Sequence, residues 1–181
     1  MAGVEAFLFF LALRDEAKRE EVRARFPRLV PLLKALGEEV EARGETFRLT
    51  KPLRLSWFAP LFEAHYSPLL PEAERALALE RLVEAAFRSA EAGESLPEGE
   101  GPLKAARLFQ AGSQALLKGD HREALHRLGE ALGLLEKEGL PFPAAALALL
   151  ARAQEGFRPG GKAKETARKA LERAQTPFAR E

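Results

Sequence analysis

Apolar positions along the chain recur mainly at helical spacing. From Ala106 to Glu138 they fall at Leu108, Ala111, Ala115 and Leu116, then at Ala124, Leu128, Ala131, Leu132 and Leu135, the three-and-four rhythm of a buried helical stripe. Between the two halves stands Lys118-Gly119-Asp120. Gly119 suits the position that ends a helix, and Asp120 followed by Glu123 has the pattern of a capping box that opens the next one. The spacing therefore predicts a helical hairpin with its turn written into the sequence. After Gly139-Leu140-Pro141 the pattern returns: Leu108, Ala111, Gly112, Ala124, Ala131 and Leu132 have counterparts 39 residues on, at Leu147, Leu150, Ala151, Ala163, Ala170 and Leu171. Arg158 stands where Gly119 would recur. A period of this length with small residues at fixed places is the mark of stacked helical repeats.

Upstream, Val4 to Leu13 is apolar on most sides and predicts a buried helix over about residues 3 to 14. It is too short to span a bilayer, Glu5 lies where a signal sequence needs positive charge, and no small-residue cleavage site follows, so a cytoplasmic protein is expected. Lys18 to Phe26 predicts a second helix with Val22 and Phe26 inward and Arg19, Arg23 and Arg25 outward, ended by Pro27. A third runs from about Leu29 to Glu38, with Pro31 in its first turn and Val30, Leu33 and Leu36 as its core side. After Gly37 the period turns from helical to alternating, with Val40 and Ala42, the turn Arg43-Gly44, then Phe47 and Leu49, which is a hairpin signal. A short helix around Trp57, Phe58 and Phe62 stops near Ser67-Pro68. A long one follows from Pro71 to about Ala92, with Leu79, Leu82, Val83, Ala86, Phe87 and Ala90 as its stripe. The segment 93 to 102, GESLPEGEGP, is acidic and rich in Gly and Pro and predicts a mobile loop.

The expected fold class is mainly α: a winged-helix-like unit with a small β-hairpin over 1–53, then stacked helix pairs over 54–181. Leu108, Ala111-Gly112, Gly119, Ala124 and Ala131-Leu132 resemble the tetratricopeptide (TPR) repeat, with Ala115, His121 and Leu128 at places where such repeats carry large aromatics. Counting 55–66 with 71–92, three pairs are expected. A winged helix leading into TPR-like helices is similar to the bacterial transcriptional activator family, in which a DNA-binding domain precedes an all-helical activator domain. Glu41 to Leu49 looks like that family's wing, and Leu55-Ser56-Trp57-Phe58 falls where its helical domain begins. The family's strands before the first helix are missing here, and the segment between its second and third helices is short. The resemblance implies transcriptional regulation, with double-stranded DNA on the winged unit and a protein or peptide partner, or a second copy of the chain, on the repeats.

Composition narrows the chemistry. The 28 basic and 27 acidic side chains nearly cancel, so any nucleic-acid footprint is local. Without cysteine there is no disulfide framework, thiol nucleophile or Cys-based zinc site. Asn and Ile are absent too and Met1 is the only Met, which fits a thermophilic host. Gly156 to Lys162 satisfies GxxxxGK, but Ala163 replaces the Mg²⁺-binding hydroxyl and a helix precedes the motif where a strand is required, so it is read as an inter-helix turn. His65, His121 and His126 form no ligand spacing with one another. No serine lies in GxSxG, since Ser113 sits inside a helix. No enzyme, metal or cofactor is expected.

Two basic sets remain. Arg23, Arg25, Arg28, Lys34, Arg43, Arg48 and Lys51 fall on the second helix, the candidate recognition helix and the wing, where phosphate and groove contacts would be made. Arg28 and Lys34 are the groove-facing candidates and Arg43 and Arg48 the wing's phosphate holders, with Glu38, Glu39, Glu41 and Glu45 close by. Lys162, Lys164, Arg168, Lys169 and Arg173 are read as the polar outer face of a terminal repeat. A TPR-like scaffold with no DNA role is the competing expectation.

Overall fold

The computed structural model describes residues 3–14, 16–51, 53–55, 71–174 and 176–180. The short helix expected around Trp57, Phe58 and Phe62, its end at Ser67-Pro68, and His65 lie outside the described residues. The chain divides into two compact units, Met1–Leu53 and Arg54–Glu181.

The first unit runs α1 (Gly3–Arg14), β1 (Glu16–Lys18), α2 (Arg19–Arg25), α3 (Leu29–Leu36), a 3-10 turn (Gly37–Glu39), β2 (Val40–Arg43) and β3 (Thr46–Leu49). Its sheet has the order β1-β3-β2, with both pairs antiparallel, and Phe47 of β3 lies opposite Ala17 on one side and Ala42 on the other. This helix-strand-helix-helix-hairpin order makes the unit winged-helix-like. The core is Phe7, Phe10 and Leu11 of α1 with Ala17, Val22, Leu29, Leu36 and Phe47. Phe26 closes it by packing edge-on against Phe7 at 5.1 Å and Phe10 at 5.5 Å, the favoured geometry for aromatic quadrupoles.

Four expectations need correction here. β1 was not expected, because in three residues only Ala17 turns inward, too few to register as alternation. The hairpin's two turn residues are Gly44 and Glu45, since Arg43 still pairs with Thr46, and Gly44 takes the positive φ of 56°. On α3 the inward residues are Leu29 and Leu36 with Leu32 and Leu33 behind them, whereas Val30, about 100° round the helix from Leu29, faces away from that stripe and is 65% exposed. Arg19 is not an outward charge either. Its N–H donates to Glu45 O at 2.7 Å, its guanidinium donates to Gly44 O at 3.1 Å, and the same group lies over the Phe47 ring, so it fastens the start of α2 to the wing turn.

The second unit comprises α4 (Glu72–Glu91), α5 (Pro102–Leu117), α6 (His121–Lys137), α7 (Ala144–Phe157), α8 (Gly161–Arg173) and the short α9 (Pro177–Arg180). Each of α4 to α8 packs on the next, and α7 also touches α4 and α5. α5 ends at Gly119 (φ 78°), where Asp120 N–H donates to Ala115 O and Gly119 N–H to Leu116 O, and Asp120 then caps α6 by accepting from Glu123 N–H at 3.1 Å. The Glu123 carboxylate does not complete the box; it turns to Arg127 at 2.8 Å. Gly93 and Gly139 close α4 and α6 in the same way, whereas Arg158 cannot, and α7 instead leaves in an extended conformation and re-enters helix through Gly160. Segment 158 to 160 is thus an inter-helix turn. The small residues let helices meet closely: a Cβ on Gly112 would stand 2.8 Å from Leu128 Cγ.

The 93–102 loop is fastened at its start. Glu94 pairs with Arg54 at 2.9 Å, and its carbonyl accepts from Gln110. No helix among the described residues is long and apolar enough to cross a membrane.

Candidate nucleic-acid interface

In the first unit, α3 presents two faces. Leu29, Leu32, Leu33 and Leu36 hold it to the core, and Val30, Pro31, Lys34 and Ala35 point away, Val30 and Lys34 one helical turn apart. The outer face carries no carboxylate until Glu38 and Glu39 in the turn beyond. Arg28 stands just before the first residue of α3 and Arg23 lies on α2; both are exposed, and among the described residues neither they nor Lys34 and Lys51 form an ion pair. Arg25 is also exposed, but its guanidinium lies 5.0 Å from the Phe10 ring centroid, with Arg14 at 4.1 Å from the same ring.

The wing is electrostatically quieter than its sequence implies. Glu41 on β2 faces Arg48 across the hairpin and hydrogen-bonds its guanidinium, and Arg43 reaches the same carboxylate oxygen at 3.0 Å. The Arg48 hydrogen bond, more than the charge of Arg43, holds the Glu41 carboxyl below the usual carboxylate range, so it stays ionised at neutral pH. One acidic side chain thus serves two candidate phosphate holders. The structure leaves Arg23 on α2 and Arg28 and Lys34 at α3 as exposed cations with no ion pair among the described residues, and leaves Arg43 and Arg48 as occupied ones. An apolar groove adjoins this face, between the start of α1 and the α2–α3 turn, lined by Val4, Phe26, Pro27, Pro31, Leu32 and Ala35.

In the second unit the sequence reading missed a buried polar cluster on α4. Glu80, Arg81 and Glu84 are almost fully buried. Glu80 accepts from the N–H groups of Ala144 and Ala145, which places a carboxylate at the start of α7 and satisfies donors that helix cannot satisfy itself. Burial pushes the Glu80 carboxyl up from its ordinary value, against the pull of those two hydrogen bonds. Glu84 pairs with Arg81 at 2.7 Å and accepts from the Thr176 hydroxyl. The available signal was that Ala78, Ala85 and Ala86 surround these charges, giving α4 small or apolar residues on every side.

The remaining candidates do not converge. His126 pairs with Glu130 at 2.9 Å. The His121 ring lies where a Cβ on Gly156 would be, which explains a small residue there. Among the described residues no three His, Asp or Glu side chains gather as metal ligands.

No protein-family model, curated protein or solved structure matches the chain. Its function therefore has to be argued from its own surfaces.

Proposed function

We propose that this chain is a DNA-binding transcriptional regulator whose winged-helix-like unit engages duplex DNA and whose TPR-like helix stack binds a protein partner. The observation that carries the reading is the outer face of α3, carboxylate-free and bearing Arg28 and Lys34 as exposed cations that form no ion pair among the described residues. In this reading α3 enters the major groove. Arg28 and Lys34 meet base edges or phosphate, Arg23 and Lys51 meet the flanking backbone, and Val30 and Ala35 supply apolar contact of the kind that suits thymine methyl groups. Arg43 and Arg48 would reach phosphate only by leaving Glu41, which makes the wing a secondary contributor.

Gel-shift titration and footprinting on host promoter fragments test the proposal. With two to four of these cations on phosphate the salt slope is roughly −2 to −4, from about −0.9 per phosphate neutralised. Protection of discrete sites that weakens with salt on that slope supports the reading, and replacing thymine by deoxyuridine in a protected site should weaken binding by about fourfold per methyl lost. Binding without sequence preference, or no binding at low salt, overturns it.

The exposed Val30 beside the apolar groove favours a second reading, a protein-binding scaffold without DNA. Arg28→Glu with Lys34→Glu separates the two: a regulator loses DNA, and a scaffold shows no DNA binding before or after the change.

A further inference from the structure

The 39-residue repeat relates the pair α5–α6 to the pair α7–α8, and one seat that is filled on the first pair is open on the second. α7 lies against both α5 and α6, and on that first pair Ser113 and Leu128 are fully buried while Leu132 is 6% exposed. At the matching places on α7 and α8 stand Arg152, Ala167 and Leu171, all exposed, Leu171 to 61%. They border a groove of about 570 Å³ whose floor is Ala148, Ala151, Ala163 and Ala170. α9 packs on α7 and α8 and reaches the groove with Ala179 and Arg180, leaving Leu171 uncovered.

We propose that this groove receives an α-helix of a partner protein, lying on α7–α8 as α7 lies on α5–α6, with an Ala- and Leu-rich face and carboxylates along its edges. The internal copy supplies the shape. What fills the seat on the first pair is α7 itself, a helix that buries Ala144, Ala145, Ala146, Leu147 and Leu149. A floor of alanines allows the same close approach of helix axes. Charge supplies the edges. Arg152, Lys164 and Arg180 line the groove and make no ion pair among the described residues, against the single carboxylate Glu155. In the filled seat the first two places are held by Ser113 and Leu125, which suit a permanent contact within one chain. A charged rim around an apolar floor suits a reversible contact between chains and steers an acidic partner to it. A second copy offering its own α8 would bring Lys162, Arg168 and Arg173 against like charge. The inference stands whether or not the first unit binds DNA.

The test uses the full chain and two synthetic helical peptides with the apolar pattern of Ala144–Phe157, one edged with Glu and one with Lys, titrated by fluorescence anisotropy. The Glu-edged peptide should bind at least about tenfold more tightly, and Arg152→Glu with Lys164→Glu should reverse the preference. Leu171→Gln should weaken the Glu-edged peptide by about fivefold or more, from loss of a side chain newly covered on binding. These positions are exposed, so the variants keep the wild-type circular dichroism and melting curve. Equal affinity for the two peptides, no binding of either at about 1 mM, indifference to Leu171→Gln, or self-association that occludes Leu171 would each overturn the proposal.

Discussion

Removing the Glu80 carboxylate tests how the helix stack is held together. Its two oxygens accept from Ala144 and Ala145 N–H, more than sixty residues away along the chain, inside a site sealed from water. Glu80→Ala orphans both donors at about 1–3 kcal/mol each. Part of this is offset, because an ionised carboxylate no longer has to be kept out of water. The net loss expected is about 2–4 kcal/mol, and at roughly 4 °C per kcal/mol for a unit of this size the melting temperature falls by about 10 °C. Amide exchange gives the local readout: Ala144 and Ala145 should lose protection beyond the global change. Glu80→Gln keeps one carbonyl oxygen but turns an NH₂ toward the second donor, so it should fall between wild type and Glu80→Ala.

The pH dependence has a definite sign. Burial raises the folded-state value of Glu80 above its unfolded value, so the ionised form is what the folded state disfavours. The contribution of Glu80 is therefore fully present below the unfolded value and declines as pH rises through the raised folded one. Measured against Glu80→Gln, which cancels the other carboxylates, the stability advantage of wild type should widen as pH is lowered from neutral. A narrowing gap would refute the dominance of burial. A loss below about 1 kcal/mol in Glu80→Ala, with Ala144 and Ala145 exchange unchanged, would refute the capping role.

Two further outcomes are expected. Gly112→Val puts a branched side chain where a Cβ already meets Leu128 at 2.8 Å, so unfolding titrations should show a loss of about 2–3 kcal/mol, and an unchanged midpoint would show that α5 and α6 are not in close contact. Glu41→Gln releases Arg43 and Arg48; if the first unit binds DNA, affinity should rise and the salt slope steepen by about 1–2, and an unchanged slope would show that the wing does not approach phosphate.

The sequence carried the elements that local rules govern. Gly119, Asp120 and the stripes on either side act through neighbours four or five residues away, and the α5–α6 hairpin could be drawn from them. Val30 shows where such rules fail: on a helix as apolar as Leu29–Leu36 the spacing fits a stripe through Val30 as well as one through Leu29, and only the packing decides which is buried. Glu80 shows another limit. Its partners are the N–H groups of a helix that reaches it only through tertiary packing, so the small residues around it mark a buried stretch but cannot say which donors the carboxylate meets. Leu171 could be read as a repeat of Leu132, but its exposure could not, since exposure depends on what lies above it rather than on the residue itself.

The same distinction ranks the candidate cations. In the sequence, Arg43 and Arg48 sit on a hairpin with Glu41 and Glu45 close by, while the stretch from Val22 to Gly37 carries Arg23, Arg25, Arg28 and Lys34 with no carboxylate. In the fold, Glu41 lies beside Arg43 along the sheet edge and opposite Arg48 across it, and any phosphate approaching the wing competes with a carboxylate already in place. No such competitor stands on the outer face of α3. A duplex meeting Arg28 and Lys34 there would not have to break an ion pair to reach them. Binding should therefore depend more on Arg28 and Lys34 than on the wing.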